Sequence, residues 1–260
     1  MYSGSLTAEQ ERVFDLDALP TMAEIVDAFG DKETATENLD KTFFLARQNE
    51  DQWEVLNEEL VVALAGYLTT RLSVVSGAIE DKKTILDLGA GKGKLSHFLR
   101  VFLSDDIEVI AVDSGTPETH HPVEAIDHKE ALERYQPDIV IASWMPYLED
   151  WTQDIRDTDS VKEYILIGEA RSGCCGDPWL TWGNADPLEL RVDLRNAKEE
   201  GRQDKVEKIE KEFEAMKNSP APYKKDGFVV VELRDLEELQ TPIFGVFSTI
   251  YSFRRTSAAE

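Results

Sequence analysis

The chain has 260 residues, which is enough for one globular domain with a sizeable buried core. Its 52 acidic residues outnumber its 28 basic residues, so its net charge is −24 at pH 7. A charge of this sign repels phosphate backbones, so a nucleic-acid partner is disfavoured. Only two cysteines occur, and the adjacent pair Cys174 and Cys175 argues against a disulfide-stapled fold and a cysteine metal site.

The first part of the chain, residues 1–83, is predicted to form a helical cap. Apolar residues recur at helical spacing over residues 18–29, 39–48 and 52–75. The longest apolar stretch, residues 60–68, is far shorter than the ~20 residues of a membrane span, and the N-terminus has no signal-peptide pattern. We therefore expect a cytoplasmic protein without a membrane partner. The cap either covers a ligand cleft or only covers one face of a sheet.

The segment 85–94 reads Ile-Leu-Asp-Leu-Gly-Ala-Gly-Lys-Gly-Lys, an apolar strand that ends in Asp87 and a turn with three alternating glycines. We call residues 89–93 the glycine turn. Glycines at Gly89, Gly91 and Gly93, followed by a helical pattern, let a ligand lie against bare backbone. The third glycine comes one residue earlier than in the dinucleotide fingerprint Gly-x-Gly-x-x-Gly. The turn predicts a nucleotide-type cofactor site.

Three further strands follow the glycine turn, and each ends in a polar residue. The strand over residues 108–113 ends in Asp113, at the distance along the chain where an acidic residue meets ribose hydroxyls. A short polar strand over residues 121–127 ends in Asp127, and an apolar strand ends at Ser143. Parallel strands place these ends at one edge of the sheet, so the sequence predicts a shared site there.

The pattern Asp-x-Gly-x-Gly-x-Gly from Asp87 to Gly93 resembles motif I of the class I (Rossmann-like) S-adenosylmethionine (SAM)-dependent methyltransferases. The resemblance implies an α/β fold with a doubly wound, mostly parallel seven-stranded sheet and SAM as cofactor. It also implies an N-terminal helical lid. The charge-rich, helix-forming stretch 189–217 separately predicts a helical insertion before the last two strands. We expect a cap over residues 1–83 and a core over 84–260 with an insertion at 170–226, in one globular domain.

The resemblance also assigns roles to residues. Asp113 is expected to bind the SAM ribose, and Asp127 is expected near the adenine. The segment from Ser143 to Tyr147 lies where motif IV borders the methyl group. The expected cofactor-binding residues are Asp87, Gly89, Gly91, Gly93, Asp113, Asp127 and Ser143.

Aromatic residues after neighbouring strands indicate where an acceptor would bind. Such rings either form a cage for a flat or cationic acceptor, through stacking and cation–π attraction, or fill the core. The expected catalytic residues are Trp144, Tyr147 and Glu169, and the expected substrate-binding residues are Trp151, Trp179 and Trp182.

The predicted function is methyl transfer from SAM to a small-molecule acceptor, aromatic or amine-bearing, on nitrogen or oxygen. One alternative is a protein methyltransferase, since an acidic surface suits basic protein substrates. The other is a SAM-binding module without catalysis, because glycines indicate binding better than chemistry. No metal is expected: only His120 and His121 are adjacent among four histidines, and Ser143 stands where metal-dependent relatives tend to have Asp.

Overall fold

The computed structural model describes residues 6–29, 54–75, 82–115, 118–170, 173–241 and 248–256. Their centre is one six-stranded sheet with the strand order β2-β1-β3-β4-β6-β5. Neighbouring strands from β2 to β4 pair in parallel, whereas β6 pairs antiparallel with both β4 and β5. The strands are β1 Lys83–Leu88, β2 Ile107–Val112, β3 Ile139–Ser143, β4 Glu163–Gly168, β5 Phe228–Glu232 and β6 Thr249–Arg255.

Helices cover the sheet and form the N-terminal region. The helix Glu58–Val75 begins where the buried Asn57 side chain accepts a hydrogen bond from the Leu60 amide at 2.8 Å, which caps a helix start. No helix in the described ranges is both long and apolar enough to span a membrane. The other helices are Ala8–Phe14, Met22–Phe29, Lys94–Phe102, His128–Tyr135, Thr152–Asp157, Leu188–Glu199, Gln203–Lys217, Pro222–Lys225 and Arg234–Glu237.

The central strands are buried on both faces, as their apolar runs predict for parallel strands between helices. One charged residue, Glu163, is fully buried among these apolar residues, at the start of β4. Arg71 Nε lies 2.5 Å from its carboxylate, and Ser252 Oγ donates to it at 2.5 Å. Tyr67 OH also donates to this carboxylate. The buried Glu163 carboxylate is therefore paired with residues of the helix Glu58–Val75 and with Ser252 of β6. These contacts attach the helix to the sheet.

The stretch predicted as a third strand is almost absent from the sheet. Within residues 121–127, only Glu124 pairs with β2, through one parallel bridge to Val112. The Glu124 amide donates to Ala111 O at 2.9 Å, and Asp113 N donates to Glu124 O at 3.0 Å. Pro122 has no N–H and the stretch is polar, so the ladder does not extend. The described residues thus form six strands rather than the predicted seven.

Other boundaries also differ from the sequence predictions. The predicted helix over 39–48 lies outside the described residues. The charge-rich stretch 189–217 is a hairpin of two helices, which reverses at Gly201 with a φ of 65°. A left-handed backbone is accessible to glycine without strain, so Gly201 ends the first helix.

Candidate functional site

A cleft opens at the carboxyl ends of β1 and β3, where the strand order reverses. The strand β2 lies on one side of β1 and β3 lies on the other, and ligands of open α/β sheets bind at such a switch point. Two cavities adjoin here, a large cavity of about 670 Å³ and a small cavity of about 110 Å³. Both are lined by Gly89, Gly91, Lys92, Ser143 and Trp144.

The large cavity has a size typical of small-molecule pockets, which span ~300–1,000 Å³. The glycine turn forms one side, and the chain after β2 forms another. Asp127, His128 and Trp151 complete its wall. The His128 and Trp151 rings stack with centroids 5.5 Å apart, so two aromatic rings make up this part of the wall. A planar ring system and a polar chain of cofactor size suit such a cavity.

Asp113 joins the end of β2 to the glycine turn. Its Oδ2 accepts a hydrogen bond from the Gly91 amide at 2.9 Å, and its Oδ1 accepts one from the Gly115 amide at 2.8 Å. These bonds hold a negative charge at a fixed place on the wall of the large cavity.

Asp127 lies across the large cavity from the glycine turn, at the start of the helix His128–Tyr135. Its Oδ1 accepts hydrogen bonds from the amides of Lys129 and Glu130 at 2.8 and 3.1 Å. These two bonds hold the pKa of the Asp127 carboxyl below its usual range. Asp127 is therefore a helix cap that also lines the cavity.

The three predicted glycines differ in what surrounds them. A Cβ on Gly89 would lie 2.9 Å from the Trp151 ring, so this glycine lets the indole pack against the turn. A Cβ on Gly91 would meet nothing within 4 Å, because Gly91 faces open cavity space. Gly93 lines neither cavity in the described residues; its Cβ would lie 2.8 Å from Val123 Cγ2. Gly93 therefore serves the packing of the turn.

Asp87 is a buried carboxyl in the wall of the small cavity. Its Oδ2 accepts a hydrogen bond from Ser96 Oγ at 2.6 Å, and its Oδ1 has no partner among the described residues. Burial raises the pKa of Asp87 to about 6. Buried carboxylate oxygens without a partner are uncommon in folded proteins, and this one lies beside a cavity.

Glu54 is a second buried carboxyl in the small cavity, and the sequence analysis did not find it. It accepts hydrogen bonds from Trp144 Nε1 at 3.2 Å and from Gln240 Nε2 at 2.8 Å. Burial raises the pKa of Glu54 above its usual range. The residues next to Glu54 in the sequence do not indicate that it lines a cavity, because its hydrogen-bond partners lie 90 and 186 positions away.

Trp144 follows β3 with a φ of 55°, in the left-handed region. A bulky side chain there is an outlier, and such backbone strain persists where the surroundings enforce it, often at functional sites. The Trp144 amide donates to Ile167 O at 2.8 Å, and its indole N–H donates to Glu54. The indole therefore stands between the two cavities, as both wall and hydrogen-bond donor.

The remaining predicted residues lie elsewhere. Tyr147 is about half exposed, and its hydroxyl donates to Glu189 at 2.8 Å. Glu169 accepts a hydrogen bond from the Cys174 amide at 2.7 Å, in the loop after β4. In the described part of the chain neither residue lines the large or the small cavity.

The predicted cage of five aromatic rings is not assembled. Trp182 is buried in the core, where its indole N–H donates to Cys175 O at 2.7 Å. Trp179 is partly buried in the same loop and lines neither cavity among the described residues. Only Trp144 and Trp151 of the five rings face the cavities, so the structure brings two of them together.

No protein-family model and no protein of curated function match the chain. It is similar to the solved structure of a SAM-dependent O-methyltransferase from Thermotoga maritima, with 8% identity, 82% of this chain and 71% of that chain covered, and a TM-score of 0.42.

Two further solved structures are similar to the chain. One is magnesium protoporphyrin IX methyltransferase from Synechocystis PCC 6803 with bound SAM, with 12% identity, 86% and 97% of the two chains covered, and a TM-score of 0.38. The other is a SAM-dependent methyltransferase from Archaeoglobus fulgidus, with 14% identity, coverage of 82% and 99%, and a TM-score of 0.36. Its strand order and its reversed strand β6 give the chain a doubly wound, mostly parallel α/β fold of the Rossmann-like kind.

Proposed function

We propose that the protein transfers a methyl group from SAM to a small-molecule acceptor, aromatic or amine-bearing, on nitrogen or oxygen. The observation that carries the proposal is the large cavity at the switch point, with the glycine turn on one side and Asp113 on another. In this arrangement Asp113 accepts hydrogen bonds from the ribose hydroxyls. Asp127 and the aromatic wall made by His128 and Trp151 take the adenine.

The methyl end of SAM would lie toward the small cavity. SAM carries a sulfonium and an ammonium group, and two buried carboxyls, Asp87 and Glu54, line that cavity. Methyl transfer is an in-line displacement in which the sulfonium is already an activated leaving group, so the protein mainly aligns donor and acceptor. We assign Asp87, next to the glycine turn, to the ammonium of SAM, and Glu54 to the acceptor.

Glu54 and Trp144 give the acceptor end its chemistry. A protonated amine has no lone pair for the methyl group, so a base has to take its proton first. The raised pKa of Glu54 makes its carboxylate a stronger base than an exposed glutamate. The Trp144 ring beside it offers a face for a flat or cationic group. These features support an amine-bearing acceptor.

The N-terminal region would act as a cap over this end of the cleft. Leu16, Glu54 and Leu56 all precede β1 and all line the small cavity. We therefore propose residues 1–83 as a cap whose side chains shape the acceptor pocket, on a core of residues 84–260.

Calorimetric titration tests the proposed cofactor. Folded protein should bind SAM and its product S-adenosylhomocysteine with micromolar affinity and should not bind NAD. A screen of amines, phenols and carboxylates for S-adenosylhomocysteine formation then identifies the acceptor class. Absence of SAM binding would refute the proposal, and binding without turnover of any acceptor would favour a SAM-binding module.

Replacing Asp113 by alanine should weaken SAM binding by about 30- to 100-fold, the worth of one or two hydrogen bonds to a charged group. The Asp113→Ala variant also loses the bonds to Gly91 and Gly115, so its melting temperature is measured beside its SAM dissociation constant. Asp113→Asn is the matched variant, because it keeps the shape and one acceptor oxygen. An unchanged SAM affinity in both variants would show that Asp113 does not bind the ribose.

Replacing Glu54 by glutamine should lower kcat/KM for an amine acceptor by about 100-fold, the usual worth of a positioned base, while the dissociation constant of SAM stays the same. Glutamine keeps the acceptor oxygen for Trp144 but neither takes a proton nor attracts a cation. Steady-state kinetics at saturating SAM measure the effect on the acceptor. A parallel loss of SAM affinity would instead place Glu54 at the cofactor.

A further inference from the structure

Three of the chain's four histidines meet at one place beside the glycine turn. The His97 ring stacks on the His121 ring with centroids 3.9 Å apart and planes within 7°. The His120 ring meets His121 edge-on at 4.8 Å. Asp17 completes the group, with its Oδ1 2.9 Å from His120 Nε2 and 4.0 Å from His121 Nε2. The fold thus brings an aspartate to two histidines from 103 and 104 positions away, which sequence spacing did not predict.

We propose that Asp17, His120 and His121 form a binding site for a divalent metal ion of the zinc type. We call these three residues the histidine cluster. Their ligand atoms all lie within 4.8 Å of one another. Tetrahedral zinc with bonds of 2.0–2.1 Å separates its ligand atoms by about 3.3 Å, and the observed 2.9 and 4.0 Å lie on either side of this value. Atom shifts on the order of 1 Å would bring the three ligand atoms, which lie within 4.8 Å of one another, to this spacing.

A backbone oxygen is placed to be a fourth ligand. His121 Nε2 lies 2.9 Å from Leu16 O, as a ring N–H donor would. An ion that replaces this proton on the ring nitrogen would contact the carbonyl oxygen as well once the two atoms separate from 2.9 Å to about 3.3 Å, with the ion off the line that joins them. The ligand set is then two imidazoles, one carboxylate and one carbonyl, and imidazole is a donor that zinc, nickel and copper prefer to magnesium.

The cluster is held in place yet open to solvent. The amides of His120 and His121 both donate to Lys92 O, at 3.3 and 3.0 Å. The stacked His97 ring fixes the plane of His121, and fixed ring orientation is what supporting contacts provide at metal sites. The Asp17 side chain is 69% exposed, so an ion can reach the site.

A bound ion would fasten the N-terminal segment to the glycine turn. Lys92 belongs to that turn, whereas Leu16 and Asp17 belong to the segment after the helix Ala8–Phe14. The same segment is already attached through Lys94 Nζ, which donates to Asp15 O at 2.7 Å. The ion would therefore replace the hydrogen bonds of His120 and His121 to this segment with stronger metal bonds, beside the bond from Lys94.

Titration of the metal-free full-length protein tests the site. After treatment with a chelator, the protein should bind one Zn²⁺ per chain with micromolar or tighter affinity by calorimetry and should not bind Mg²⁺. Co²⁺ should give the intense visible absorption of a low-coordinate site. Asp17→Asn and His120→Gln should each weaken Zn²⁺ binding by more than ~100-fold, since even supporting residues are worth 10- to 100-fold. Equal melting temperatures in chelator would show that both variants fold.

His128→Gln is the matched control for this titration. His128 also has an aspartate partner, with Nε2 2.9 Å from Asp154, but its ring stacks on Trp151 rather than on another histidine. Zn²⁺ affinity should be the same in this variant as in the unmodified chain. Absence of saturable Zn²⁺ binding, or an equal loss in His128→Gln and His120→Gln, would overturn the proposal.

Discussion

Replacing Gly91 by alanine should abolish most SAM binding while leaving the protein folded. The added methyl group would meet no protein atom within 4 Å, because it would point into cavity space that the cofactor is proposed to fill. Overlap with a bound ligand costs ~1–3 kcal/mol, so we expect a loss of affinity of about 10- to 100-fold. The amide that donates to Asp113 stays in place. Titration calorimetry with SAM measures the loss.

Gly201→Ala is the matched control for Gly91→Ala. Gly201 also has a left-handed φ, 65° against 54°, and a Cβ there also meets nothing within 4 Å. Both substitutions should cost about 1 kcal/mol of unfolding free energy through backbone strain. Only Gly91→Ala should change SAM affinity, since Gly201 lies in the helical hairpin. Equal SAM affinities in the two variants would show that the cofactor does not approach Gly91.

Replacing Asp87 by asparagine should stabilise the protein at neutral pH and weaken SAM binding. The folded-state pKa of Asp87, about 6, exceeds the ordinary aspartate pKa of 3.8, so the contribution of Asp87 to stability is full at low pH and is lost as pH rises through 6. At neutral pH the ionised buried carboxyl costs about 3 kcal/mol of unfolding free energy, from ~1.36 kcal/mol per pKa unit. Asparagine keeps an acceptor for Ser96 and avoids this cost.

The pH dependence of the melting temperature separates the effect of removing the Asp87 charge from an effect of the substitution on packing. Melting temperatures should rise by several degrees in Asp87→Asn at about pH 7.5 and should approach those of the unmodified chain at about pH 3, below both the folded-state and the unfolded-state pKa of Asp87. SAM affinity should fall about tenfold or more, because the ammonium loses its counter-charge. Asp105→Asn, at an exposed carboxyl before β2, should change neither quantity. A stability gain of the same size at both pH values would contradict the assignment.

Local pattern was enough to predict the turn and the order of elements around it. An apolar run, an acid and three glycines specify a strand and a tight turn, so β1 and the glycine turn lie where the sequence indicated. The acid that ends the second strand, Asp113, also lies on the wall of the large cavity. These features depend on residues close in the chain, and the parallel pairing of strands then brings their ends together.

Contacts between distant segments were not predictable in the same way. Glu54 reaches Trp144 across 90 positions, and Asp17 reaches His120 across 103. Helical periodicity indicates which face of a helix is buried but not which residue it meets, because that depends on how the helices seat on the sheet. Trp182 was predicted to bind the substrate but lies in the core. Aromatic character alone does not tell whether a ring fills the core or lines a pocket.

The hairpin of helices Leu188–Glu199 and Gln203–Lys217 packs mainly on itself, with Ala197, Val206 and Ile209 buried. None of its residues is among those that line the large or the small cavity in the described structure. Because few contacts join the hairpin to the sheet, we expect its amides to show weaker hydrogen-exchange protection than those of the central strands. We therefore expect changes of surface charge in this hairpin to leave the cleft unaltered.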